Sequence, residues 1–331
     1  MGDRTYRSIP SILLLAGILT CSWPPGAAWA AEPLQVRIDE QAVSIRGPQR
    51  PIAEYRYAAV PFKPYLQRFL TPAGVNVLRD APSDHLHHHG LMFALAVEGV
   101  SFWQEAGVAG RQVQRSIEDV RVTDEGGMKS ASFTTKVDWL AGDSDDILLE
   151  ERRTLGVFAL GEDAPSLLTW RSELRAGPRG SVTLGGSHYY GLGMRFVQAM
   201  DANGTFHNAA GEAGEIVRGD ERLARATSCW YTSTVDGMPV TVAMFDHPEN
   251  VRHPAYWFTM GTPFAYMSAT LNLYREPLVL AAEQPVVLQY GVALWDGHRD
   301  AKTVEQWYEA WVACPFGPAR PETPASNGHM L

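Results

Sequence analysis

The run "SLLTWRSELRA", residues 166–176, alternates strictly: Leu168, Trp170, Ser172 and Leu174 against Thr169, Arg171, Glu173 and Arg175. A period of two is that of a strand with one face in a core and the other in water. One such strand cannot bury its apolar face alone, so it calls for a sheet and a second layer. The signal recurs in "LQVRID", "AVSIRG", "IAEYRYA", "ASFTTKVDWL", "PVTVAMFD" and "PVVLQYGVALW", which Gly, Pro and Asp separate. There is no βαβ alternation and no internal repeat. Gly191-Leu192-Gly193 lacks the third glycine and the following helix of a nucleotide-binding loop. The expected fold class is all-β, a large antiparallel β-sandwich.

One helix is expected. "TVEQWYEAWVA" places Val304, Trp307, Tyr308 and Trp311 at i, i+3, i+4 and i+7, with Thr303 as N-cap and Gln306 three residues on. The aromatic face should pack on a sheet. The Pro- and Gly-rich residues 315–331 read as a disordered tail.

Residues 1–30 read as a secretory signal. Arg4 and Arg7 precede the apolar run Ile9–Leu19, and Ala28-Trp29-Ala30 is a small-x-small cleavage pattern. The expected mature domain is a single sandwich over residues 31–314, periplasmic or secreted, with no membrane insertion after cleavage. Its Cys229 and Cys314 can pair in an oxidising compartment but make no disulfide framework. A formal net charge of −9 argues against nucleic acid and anionic membranes as partners and leaves a neutral small-molecule carbohydrate open.

Three clusters can carry chemistry. "DHLHHHG" supplies Asp84, His85, His87, His88 and His89 before Gly90 and the apolar Leu91, Met92 and Phe93. In an extended segment His85, His87 and His89 face one side, which suits a borderline divalent metal. Alternatively one imidazole is an acid or base, oriented by Asp84. Gly90 would let the backbone approach a ligand or a neighbouring strand. "FDHPENVRHP" supplies Asp246, His247, Arg252 and His253 on a loop shaped by two His-Pro pairs. There Arg252 either holds a carboxylate or sugar hydroxyls, or pairs with Asp246 across the loop. "GSHYYGLGMRF" supplies His188, Tyr189, Tyr190 and Arg195, a mixture suited to stacking on a sugar ring and reading its hydroxyls. For Tyr189, Tyr190, Trp103, Trp230 and Trp257 core packing is the simpler expectation, and Arg79-Asp80 reads as a surface ion pair. Adjacent Glu150 and Glu151 point to opposite strand faces and are no acid–base couple by themselves.

The segment "KPYLQRFLTPAGVNVLRDAPSDHLHHHGLMFAL" and the later "GVSFW" resemble the defining block of a bacterial domain family of unknown function, often labelled PmoA-like or "methane oxygenase". Pro64-Tyr65-Leu66, Thr71-Pro72-Ala73-Gly74, Asp84, His85, His87, His88 and Gly90 carry the resemblance. Asp246-His247-Pro248, Asn250 and Arg252-His253-Pro254 match a second block. Leu86, His89 and Met92 depart from it, standing where proline, arginine and tryptophan are usual. A methane monooxygenase subunit is excluded, since that protein spans a membrane and residues 31–331 hold no apolar run long enough. The resemblance implies a galactose mutarotase-like supersandwich, in which histidines and a carboxylate act on a sugar.

The resulting expectation is an exported carbohydrate-active protein. It would perform acid–base chemistry, namely epimerisation, elimination or hydrolysis, with His87 or His88 moving the proton and Asp84 orienting it. His85, His188, Tyr190, Arg195, Asp246, His247, Arg252 and His253 would hold substrate. A non-catalytic sugar-binding protein is the alternative. No cofactor is expected, and a divalent metal on His85, His87 and His89 is the remaining alternative.

Overall fold

In the computed structural model, which describes residues 34–314 apart from 59, 61, 126–127 and 161–163, the alternating run forms the strand Ser166–Ala176. It pairs with Ile147–Ala159 on one side and Val286–Asp296 on the other, all antiparallel. Leu168, Trp170, Ser172 and Leu174 are all buried, as alternation requires. The opposite face departs from expectation at its start. Leu167 and Thr169 are buried too, because the helix lies over them and Trp311 Nε1 donates to Thr169 Oγ1 at 2.9 Å.

That strand belongs to an eight-stranded sheet. Its order runs Thr205–Asn208, Ser228–Val235, Met238–Asp246, Val286–Asp296, Ser166–Ala176, Ile147–Ala159, Met128–Leu140 and Arg111–Glu125. A ten-stranded sheet packs against it. Its central strands run in the order Tyr65–Phe69, Leu91–Ala94, Gly191–Arg195, Tyr266–Thr270, Tyr256–Met260 and Glu221–Arg225. A small four-stranded sheet includes Ala96–Val97 and Val182–Gly185. The architecture is therefore the expected antiparallel β-sandwich.

The register of the ten-stranded sheet decides which residues face outward. Leu192 and Met194 stand opposite Phe93 and Leu91 on one side and Ala269 and Met267 on the other. All six are buried, and Phe93 meets Trp139 of the eight-stranded sheet at 5.8 Å, so this set faces the core between the sheets. Period two then turns Gly193 and Arg195, with their neighbours Met92, Ser268 and Tyr266, to the outer face. The site is built there.

The helix spans Ala301–Ala313, three residues earlier than Thr303 capping would place it. Asp300 is the N-cap, and its carboxylate accepts from Thr303 N–H at 2.8 Å. Asp is a strong N-cap, and its position shifts the start. Val304, Trp307, Ala310 and Trp311 form the buried face, with Tyr308 partly buried beside it. Cys229 is a buried free thiol, so it is not bridged to Cys314. Burial pushes its pKa up. The expected signal, residues 1–30, and the expected tail, 315–331, lie outside the described residues. Among the described residues no helix is long and apolar enough to cross a membrane.

Candidate functional site

The histidine segment is not extended. It makes two successive turns, with His85 N–H donating to Pro82 O at 2.9 Å and His88 N–H to His85 O at 3.0 Å. Ala81 N–H to His88 O and Gly90 N–H to Arg79 O close the loop. Gly90 then enters the sheet at φ +35°, where a Cβ would sit 2.2 Å from Leu66 O. The expected close approach is thus to a neighbouring strand. Because the obstacle is backbone and the φ is left-handed, Gly90→Ala should destabilise the protein by about 1–3 kcal/mol. Chemical denaturation measures this, and an unchanged midpoint would contradict the packing.

The turns break the alternation that would have put His85, His87 and His89 on one face. His85, His87 and His88 cluster instead. The His85 and His88 rings stack at 4.6 Å, and His87 meets His88 edge-on at 4.6 Å and His85 at 5.7 Å. His89 leaves the group and stacks on Tyr65 at 4.5 Å. Its Nδ1 lies 2.7 Å from Asp80 Oδ1 and its Nε2 3.0 Å from Glu105 Oε1. The three-histidine metal face is therefore not assembled, since both His89 nitrogens are engaged. Parallel stacking also keeps the lone pairs of His85 and His88 from converging. Among the described residues no group of three or more His, Cys, Asp or Glu is arranged to hold a metal ion.

Asp84 orients an imidazole, but that imidazole is His85: Oδ2 lies 3.0 Å from His85 Nδ1. The same oxygen accepts from Arg195 Nη2 at 3.2 Å. Arg195 is buried at 1% exposure, and its guanidinium lies 3.6 Å from the centroid of the Phe264 ring. Around it, six buried polar atoms have no hydrogen-bond partner within the protein: Arg195 Nε and Nη1, His88 Nδ1, Tyr266 Oη, Ser268 Oγ and Trp103 Nε1. Gly193 makes this floor possible, because a Cβ there would lie 1.8 Å from Tyr266 Oη. His88 sits 5.2 Å from the Tyr266 ring, and Trp103 stacks on Tyr190 at 5.0 Å.

A charged network flanks the cluster. Lys63, buried at 1% exposure, donates to Glu105 and to Trp103 O at 3.1 Å. Asp80 also accepts from Tyr65 Oη at 2.8 Å and Gln67 Nε2 at 2.7 Å. Asp80 is thus not a surface partner of Arg79, which faces Asp201 at 3.5 Å. Lys63 and Glu105 carry no sequence signal, because neither spacing nor alternation marks a lysine before a proline as buried.

Proton affinities divide the histidines. Burial first, then the charges of Lys63 and His85, lowers His87 to about 4. Burial first, then His87 and His85, lowers His88 to about 2. Burial would also lower His89, but its bonds to Asp80 and Glu105 outweigh this and raise it. At neutral pH His87 and His88 are therefore neutral, whereas the Asp80 and Glu105 carboxylates favour the charged form of His89.

The sign of the pH dependence follows. Below the ordinary pKa of 6.5 the unfolded chain takes up protons that folded His87 and His88 refuse, so their contribution is lost as pH falls. His89 acts oppositely, adding stability below 6.5 that disappears as pH rises through its raised folded value. Asp80 and Glu105 are held low by His89, so their contribution is lost only below their ordinary 3.8 and 4.5. Unfolding free energy should fall between pH 6.5 and 4.5 by about 1–3 kcal/mol per depressed imidazole. His87→Asn should flatten the curve, and urea melts that are pH-independent across this window would refute it.

The second sequence cluster is not brought to the first. Asp246 accepts from Asn250 Nδ2 at 2.7 Å and Ala255 N–H at 2.8 Å, and its Oδ2 lies 2.7 Å from His253 Nδ1. Arg252 does not pair with Asp246; it donates to the carbonyls of Leu271, Glu276 and Pro277. His247 packs edge-on against Trp311 at 5.5 Å. This loop leads into Tyr256, which opposes Thr270, whereas Arg195 opposes Tyr266 at the other end of the same strands. Four residues of strand, roughly 13 Å, separate the two ends. Asp246, His247, Arg252 and His253 therefore shape a crossing loop. His188, by contrast, does join the outer face, with Nε2 3.1 Å from Glu221 Oε2.

A separate cavity of about 280 Å³ lies at the far edge of the sandwich, where His207, Asp220, Arg222 and Cys229 are among its lining. Asp220 there accepts the backbone N–H groups of Gly261 and Thr262, and Arg222 donates to Gly219 O, so these charges serve the local loops.

A family model described as a family of unknown function, DUF6807, matches residues 42–309. Its description carries no PmoA-like label. No curated protein matches the chain. Similar solved structures include the galactosidase domain of the alpha-galactosidase-sucrose kinase AgaSK, at 9% identity and TM-score 0.47 over 80% of this chain and 42% of that one. Others are the GH36 alpha-galactosidase AgaB from Geobacillus stearothermophilus (9%, 0.44, 80% and 41%) and the alpha-galactosidase from Lactobacillus brevis (7%, 0.42, 84% and 41%). The chain spans less than half the length of these structures. Likenesses this distant carry no weight for substrate or activity.

Proposed function

The chain belongs to the family of unknown function DUF6807, and for this member we propose a carbohydrate-active role centred on the outer face of the ten-stranded sheet. One observation carries the proposal. Six buried polar atoms without protein partners belong to the neighbouring residues Arg195, His88, Tyr266, Ser268 and Trp103, which pack with partly buried His87 and Tyr189 and with the rings of Tyr190 and Phe264. Protein interiors rarely leave such atoms unpaired. A sugar ring supplies what they lack: hydroxyls that both donate and accept, and apolar C–H faces that pack on aromatic rings. Because these atoms are closed off from solvent, binding includes an outward shift of the Pro82–His89 loop.

The chemistry is proton transfer. His87 is neutral and half-exposed, which suits a base. His85, whose Nδ1 faces Asp84, presents Nε2 as the exchanging nitrogen. Held down to about 2, His88 cannot supply a proton near neutral pH, so its role is to hydrogen-bond the ligand. This moves the proton-carrying role from His88 to His85 and keeps it at His87. Arg195, with two unpartnered N–H groups, faces a developing oxyanion.

The test is calorimetric titration and NMR turnover of the purified protein against neutral and oxidised mono- and disaccharides. At least one should bind, and hydrogen exchange in the Pro82–His89 loop should slow on binding. If none binds at millimolar concentration, the proposal fails. Binding without turnover would reassign the site to the non-catalytic alternative.

A further inference from the structure

The aromatic surface does not stop at the imidazole cluster. Trp103 meets Tyr189 at 5.2 Å, Tyr189 meets His188 at 5.0 Å, and His188 meets Tyr274 at 5.7 Å. Trp103 is fully buried, whereas Tyr189, His188 and Tyr274 keep partly exposed edges. The strip ends on a second polar group. Glu221, its side chain 7% exposed, lies between His188 and Arg218, and the Arg275 guanidinium lies 5.1 Å from the Tyr274 ring centroid.

Register sets the length of this surface. Arg195 opposes Tyr266, and Tyr266 opposes Met260. Glu221 lies one residue before Arg222, which opposes Thr259, so it falls in the same row. Arg195 and Glu221 are thus three strand spacings apart, about 14 Å. A pyranose ring is roughly as wide as one spacing, so a single ring at the imidazole cluster leaves the far end uncovered. A core strip would bury all its rings and end on apolar residues. This one is half-open and has ion-pairing, hydrogen-bonding groups at both ends.

We propose that the site takes an extended saccharide of at least two rings, with the second ring on Tyr189 and Tyr274 and its hydroxyls on His188 and Glu221. The inference rests on the sugar reading of the imidazole end. His188 and Glu221 already bond each other, which fixes the imidazole edge, and the remaining carboxylate lone pairs accept from ligand hydroxyls.

Calorimetry on the full chain can test this with glucose against cellobiose and isomaltose, and galactose against lactose and melibiose. At least one disaccharide should bind about tenfold tighter than its monosaccharide, or about 1.4 kcal/mol. Tyr274→Ala and, separately, the isosteric Glu221→Gln should erase that advantage. Equal affinities for mono- and disaccharides would overturn the extended site while leaving the sugar reading intact. An advantage that survives both substitutions would place the second ring elsewhere and also overturn it. Failure of every saccharide to bind would remove both readings together.

Discussion

Arg153→Met is expected to destabilise the protein by about 3–5 kcal/mol, read as a shift in the urea midpoint without a change in slope. Arg153 and Glu151 form an ion pair at 2.7 Å with both side chains at 0% exposure. Glu151 also accepts from Trp139 Nε1 and Ser172 Oγ. Arg153 donates to Tyr55 Oη, Gln112 Oε1 and Pro64 O, and its guanidinium lies 4.7 Å from the Trp170 ring centroid. Removing the cation leaves a carboxylate in the core without its counter-charge. The double variant Glu151→Gln with Arg153→Met should recover much of the loss, because neither charge is then stranded. A loss below about 1 kcal/mol in Arg153→Met would show that the pair is hydrated or relaxed. The network also bears on the site. The bond to Pro64 O and the bond from Gln112 N–H to Phe62 O hold the backbone on both sides of Lys63, which in turn anchors Glu105.

The second large effect concerns turnover. On any saccharide that the protein converts, His87→Ala and His85→Ala should each lower kcat by about 10²–10⁴-fold, the usual range for a lost acid or base. Both residues lie on a surface loop and are at least partly exposed, so folding stability should change little. Asp84→Asn tests the orienting carboxylate. It should lower kcat more than it raises KM, because the His85 tautomer rather than ligand contact is disturbed. Full activity in both histidine variants would rule out imidazole proton transfer and leave a binding role.

Much of the architecture was legible because period-two alternation is a local property. Strands such as Ser166–Ala176 and Met238–Asp246 stand where the pattern put them. Local reading failed where another element changed an environment, as when the helix buried Thr169, or when Asp300 rather than Thr303 began that helix. In the site, residue types were readable but their grouping was not. Alternation wrongly joined His85, His87 and His89, since a turn has no period. It also overlooked Lys63, Glu105 and Glu221 and misread Asp80 as a surface partner of Arg79, because their side-chain bonds join residues distant in the chain.

By itself the sequence determined a sandwich of alternating strands with an aromatic helix, and a loop crowded with imidazoles at the start of a core strand. Tertiary structure alone decided which imidazoles meet, which carboxylates hold them and which protonation states they keep. The reason is physical. Strand faces are set by bonds one residue apart. A pKa or a hydrogen bond is set instead by groups that are distant in the chain and brought to hydrogen-bond distance by the tertiary fold, as Asp84 is with Arg195 at 3.2 Å and His188 with Glu221 at 3.1 Å.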